Sequence, residues 1–183
     1  MRVGRTRTLM RLTGTVCSGL GRASIFMAQE HYQKQFQTIL EDEAYSGTLN
    51  VQVSGDDSTL FDILRRSAGL DISADLEDKL KQIVVDDTDF EEFGEMDYAD
   101  SWLESFSGER IDGFTREGNS FGGATAFLAR IESDKGEKYR CAILIPDLTR
   151  HTDVIEVIAW HYLRGALDVS DGDEVIIDVS PNY

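Results

Sequence analysis

The sequence predicts a mainly β fold, a small closed barrel, and three observations predict it. Its apolar segments are short and rich in Val, Ile, Leu and Thr; glycines or an Asp-Gly pair separate them; and outside one acidic block only one longer stretch carries a helical repeat.

Thr6 to Ser18 reads as a first strand running into a glycine loop. Gln29 to Leu40 places Tyr32, Phe36, Ile39 and Leu40 at i, i+4, i+7 and i+8, which predicts an amphipathic helix. Tyr45 to Val53 reads as the next strand, with Gly47 supplying a tight turn. Leu60, Phe61 and Leu64, then Leu76, Leu80, Ile83 and Val84 after a Ser73 N-cap, give two short helical patterns. An acidic stretch with scattered aromatics, Phe90 to Phe106, follows. Strand-like sequence returns at Ile111 to Phe114 and Ser120 to Ile131, where Gly122 and Gly123 suggest a bulge or a close backbone approach. Lys138 to Ile145, closed by Pro146, Val154 to Ala159, and Glu174 to Val179 after an Asp-Gly turn complete the strands, with a short helical segment at Tyr162 to Leu167.

A chain of 183 residues with 41% apolar residues suits one domain, 1–183, with an elaboration. No segment reaches the ~18 to 20 apolar residues of a membrane span. The Arg-rich start lacks the apolar core of a signal peptide, and the two cysteines, Cys17 and Cys141, fit reduced thiols, so a cytoplasmic protein is expected. Net charge is −16, and residues 56–110 hold 17 acidic against 5 basic residues, leaving −4 elsewhere. The first forty residues are basic, with Arg2, Arg5, Arg7, Arg11, Arg22 and Lys34 against Glu30, so the glycine loop sits where phosphate would be attracted. Long nucleic acid is not an expected partner of so acidic a chain.

Two motifs carry chemistry. Ser18-Gly19-Leu20-Gly21 can bring several backbone N–H groups to one anion, because glycine has no Cβ and tolerates positive φ. Taken alone, the same pattern is found in ordinary strand-to-helix loops. In Gly47-Thr48-Leu49-Asn50 an extended backbone points Thr48 and Asn50 to one side and Leu49 to the other. Two neutral oxygens side by side suit a Mg²⁺ ion whose other positions are filled by water and phosphate. There is no Walker loop and no dinucleotide fingerprint.

With Ile155-Glu156-Val157-Ile158-Ala159, Leu163-Arg164 and Asp171-Gly-Asp-Glu-Val175, these motifs resemble, in order and spacing, the archaeal CTP-dependent riboflavin kinases over about two thirds of the chain. The resemblance implies a barrel of the cradle-loop type with one helix, and transfer of the CTP γ-phosphoryl group to riboflavin, giving FMN and CDP. It implies nucleotide contacts at Gly19, Leu20, Gly21, Arg22, Ala23 and Ser24 and at His161, Tyr162, Leu163 and Arg164. It makes Thr48 and Asn50 the ligands of one Mg²⁺ ion, and Thr149 and Glu156 the flavin contacts. Glu156 is then a catalytic candidate, orienting ribityl hydroxyls or accepting the 5′-hydroxyl proton. Residues 56–110 stand out from the family pattern as an acidic insertion, read as a surface excursion with its own small apolar anchor, the alternative being a lid or a partner-binding surface. The implied partners are riboflavin, FMN, CTP and CDP, with no nucleic acid or membrane, for a monomer. The alternative is a non-catalytic flavin- or nucleotide-binding barrel serving as a sensor or transcriptional regulator.

Overall fold

The computed structural model describes residues 10–19, 21–72, 74–76, 78–79 and 105–180. The elements run β1 (Met10–Cys17), α1 (Ala23–Met27), α2 (Glu30–Leu40), β2 (Leu49–Gln52), α3 (Gly55–Ser67), β3 (Glu109–Ile111), β4 (Phe114–Arg116), β5 (Asn119–Phe121), β6 (Ala124–Ser133), β7 (Lys138–Pro146), β8 (Val154–Ile158), α4 (Leu163–Leu167) and β9 (Glu174–Val179).

Six strands close an antiparallel barrel in the order β6-β7-β8-β2-β1-β9, and β9 returns to β6. Closure depends on the length of β6, whose second half pairs with β9 from Ala129 to Ser133 while its first half pairs with β3. β1 alternates buried and open residues, so Met10, Leu12, Gly14 and Val16 face inward. Gly14 is required there, since a Cβ would press on Val51 and on the Gln52 carbonyl. The barrel interior is filled by residues such as Leu49, Val51, Phe127, Ile131, Ile143, Ile155, Val157, Val175 and Ile177.

β6 and β7 are buried on both faces, which is why they read as continuous apolar runs. Their outward residues Ala124, Ala126, Ala142 and Leu144 form a second layer with Tyr32, Phe36, Ile39 and Leu40 of α2, the residues the helical repeat selected. Arg140 fastens the far end of α2, donating to the Ile39 carbonyl and to Glu41.

Three expectations change. The strand expected from Tyr45 begins only at Leu49, because Gly47 N donates to the Tyr45 carbonyl and closes a three-residue turn. The strand expected over Ser120 to Ile131 divides at Gly122 and Gly123, where β5 turns away as half of the β4–β5 hairpin and a Cβ on Gly123 would meet Ile111 O and Arg110. The insertion at 56–110 is not a surface excursion in its described part. Phe61, Ile63 and Leu64 of α3, with Leu76 and Phe106, belong to the barrel's own core. The carboxylate of Asp57 also accepts from Thr13 N of β1 at 2.8 Å. Ser73, Leu80, Ile83, Val84 and the aromatics Phe90 to Trp102 lie outside the described residues.

Candidate functional site

The glycine loop leaves β1 at Ser18 and enters α1 at Ala23. Gly21 has φ +69, a left-handed conformation that favours glycine. Ser24 Oγ donates back to the Gly21 carbonyl at 3.3 Å, and the Arg22 carbonyl accepts from Ile25 N. Leu20 lies outside the described residues. The root of the loop is pinned from the turn before β9. Ser18 Oγ donates to Asp171 at 2.5 Å, while Arg164 donates to Asp171 at 2.7 Å and to the Cys17 carbonyl at 3.1 Å. The hydrogen bonds from Ser18, then Arg164, hold the Asp171 carboxyl below the ordinary aspartate range. Gly172 N, donating to Val16 O, completes the clamp.

Beside this loop stands the oxygen pair. Thr48 Oγ1 donates to Asn50 Oδ1 at 3.0 Å, so the two side chains share one side of the chain as their spacing predicts. Adjacent ligands of an octahedral ion at ~2.1 Å are separated by about 3.0 Å, so the pair has the span of two neighbouring coordination positions. Asn50 Nδ2 lies against Gly19, where a Cβ would collide with it. Asn50 thus touches the loop through one end of its amide and Thr48 through the other.

Asn50 pairs with Cys17 on one side and Glu156 on the other. Residues paired across antiparallel strands share a face, so the Glu156 carboxyl and the Asn50 amide are neighbours. Burial raises the Glu156 carboxyl above the ordinary glutamate value, with His151 opposing. A carboxylate with a raised value is a better proton acceptor near neutral pH than a free one.

An open, shallow cleft lies where the chain enters β2 and leaves β8, lined by Tyr45, Thr48, His161, Tyr162, Leu163 and Arg164 among others. The structure therefore brings His161 to Arg164 together with Thr48. Leu163 is buried, and His161 packs against Trp160 and Tyr139 with ring centroids 4.2 and 5.1 Å apart. Thr149 is apart from this group. It sits in the connection between β7 and β8, its N–H donating to Pro146 O and its Oγ1 accepting from His151 N. Register places that connection beyond Glu156 on the side away from the cleft, since Val154 faces Gln52 while Val157 faces Leu49. Gly19, Gly21, Arg22, Ala23 and Ser24 line the loop side and not the cleft wall.

The clamp of Asp171 and Ser18 is not foretold by the sequence, where Asp171-Gly172 is a turn and part of a family-like motif with no stated contact to the glycine loop. Tyr45 opens the stretch that carries Thr48 and Asn50, but its own place in the cleft wall is not among the expected site residues.

A family model named for CTP-dependent riboflavin kinase, described as domain of unknown function DUF120, matches residues 16–85 and 93–179. The chain belongs to this family. Curated relatives include riboflavin kinases of Thermoplasma acidophilum, 31% identical over 92% of this chain and 56% of the relative, and of Methanoculleus marisnigri, 31% identical over 92% and 57%. A riboflavin kinase of Haloquadratum walsbyi is 27% identical over 97% of this chain and 60% of the relative. The chain thus spans less than two thirds of the length of these relatives. Within 56–110 the family match omits only residues 86–92, in keeping with the place of α3 in the core.

Proposed function

We propose that this chain is a CTP-dependent riboflavin kinase, transferring the γ-phosphoryl group of CTP to the 5′-hydroxyl of riboflavin. The observation that carries the reading is the position of Asn50, in contact with the glycine loop at Gly19, hydrogen-bonded to Thr48 and paired across the sheet with Glu156. Phosphate site, metal pair and acceptor-side carboxylate are then neighbours in one row. The relatives' printed name, riboflavin kinase, and the family's name support the acceptor and the donor respectively.

Thr48 and Asn50 would hold one Mg²⁺ ion, which when bound neutralises charge on the transferring oxygens. The backbone of Gly19 to Ser24 receives the phosphates, and Arg164, fixed by Asp171, presents its guanidinium at the cleft wall. Thr149 and Glu156 face the acceptor. Glu156 takes the 5′-hydroxyl proton as the new O–P bond forms and the bond to CDP breaks. Phosphoryl transfer is mostly positioning and electrostatic stabilisation, so this sparse set of side chains is sufficient.

The test uses the purified chain with riboflavin, Mg²⁺ and each of the four nucleoside triphosphates in turn, with FMN read by chromatography. FMN should form preferentially with CTP. Flavin and CDP binding without FMN from any donor would replace this reading with that of a binding module.

A further inference from the structure

We infer that the rings of Tyr45 and Tyr162 form a single wall on which the nucleobase of the phosphoryl donor stacks. The inference rests on the kinase reading for the identity of the ligand. Both rings line the cleft, their centroids are 5.2 Å apart at an angle of 44°, and both are about half exposed, at 46% and 53%. At that separation they touch each other, so a base lies on the wall and not between the rings.

Each ring has a glycine beneath it. A Cβ on Gly47 would press on the Tyr45 ring at 3.2 Å, and one on Gly165 would press on the Tyr162 ring at 3.1 Å. The backbone at Tyr45 is fixed as well, its N–H donating to Ala159 O and its carbonyl accepting from Gly47 N. Two phenol rings thus rest against glycine backbone, half in water beside a cleft, which suits a planar ligand that covers them on binding.

The occupant follows from what else lines the cleft. Thr48 belongs to the metal pair, and Arg164 is tied to the Cys17 carbonyl at the root of the glycine loop. A planar group on the wall would therefore have its phosphates directed towards the loop. The flavin positions Thr149 and Glu156 do not line this cleft. Stacking on an aromatic face is tolerant of base identity, so the wall contributes affinity common to all donors and leaves discrimination to groups at the base edge.

Tyr45→Ala and Tyr162→Ala should each raise the KM for CTP and weaken CDP binding by about 5- to 150-fold, with kcat and riboflavin KM little changed and the CTP-to-UTP preference kept. Tyr45→Phe, which keeps the ring, should recover the CDP affinity that Tyr45→Ala loses. As a check that needs no variant, CDP should protect Tyr45 and Tyr162 from nitration by tetranitromethane, located by peptide mass. Unchanged CDP binding in both alanine variants, or nitration of both tyrosines at the same rate with and without CDP, overturns the inference. CDP binding that depends on both rings without FMN formation keeps the wall and removes the kinase reading. FMN formation indifferent to both rings does the reverse.

Discussion

Asn50 has no spare side: Cys17 and Glu156 flank it across the sheet, Gly19 leaves room for its amide nitrogen, and Thr48 bonds its oxygen. Removing that oxygen in Asn50→Ala should raise the Mg²⁺ concentration needed for half-maximal rate. Turnover should fall by roughly ten- to a thousandfold, or about 1.4 to 4 kcal/mol of transition-state stabilisation. Steady-state rates across a Mg²⁺ titration check this, and a wild-type profile would reassign the pair. Glu156 supplies a pH test. Because burial raises its folded value, the carboxylate is lost on acidification at a pH above the ordinary glutamate value, and the acid limb of kcat/KM, which reports the free enzyme, should lie there. Glu156→Gln should lower kcat by ~10²- to 10⁴-fold and remove that limb. Stability should move the other way. A raised folded value means that ionising Glu156 weakens the fold as pH climbs past the unfolded value, so the Gln variant should melt no lower than the parent at neutral pH.

Helix α3 shows where sequence reading succeeds and where it fails. The strands were legible because alternation in β1 and unbroken apolar runs in β6 and β7 each follow from what covers their faces. Helix α2 was legible because its four buried residues fall on one stripe. In α3 the apolar residues show a helical pattern, but Asp56, Asp57, Arg65 and Arg66 around them make the segment part of an acidic block with the composition of a surface excursion. Nothing local in the sequence says that Phe61, Ile63 and Leu64 cover one region of the barrel, since that depends on contact with β1 far away in the chain. The clamp at Asp171 was hidden for the same reason, its partners Ser18 and Cys17 being some 150 residues away. Phe61→Ala should accordingly cost about 3 to 5 kcal/mol in a denaturant titration. Replacing residues 58–108 by a short Gly/Ser linker should abolish cooperative unfolding, whereas a tolerated replacement would restore the reading of a surface excursion.

For the molecule as a whole, the net charge of −16 places most titration in carboxylates, but one of them sits at the barrel's closing seam. Asp178 on β9 accepts from Arg11 of β1 at 2.8 Å and from Lys138 of β7 at 3.1 Å. The hydrogen bond from Arg11 holds its carboxyl below the ordinary aspartate value. A depressed folded value contributes stability that is complete above the unfolded value and disappears as pH falls through the folded one. The melting-temperature difference between the parent and Asp178→Asn, which isolates this carboxylate, should therefore be constant from neutral pH down to roughly pH 5 and shrink below about pH 4. No described helix is long and apolar enough to cross a membrane.

The same seam bears on how the chain is made. Met10 to Thr15 pair residue by residue with Val179 back to Glu174, so the earliest described strand finds one of its two neighbours only when the last one exists. A ribosome emitting this chain delivers β9 more than 150 residues after β1. Until then the hydrogen-bonding edge of β1 facing that gap is open to other strands, and ring closure waits on the pairing that spans the greatest sequence separation among the described strands. Newly made copies are thus most exposed to mispairing in the interval before residue 174 emerges.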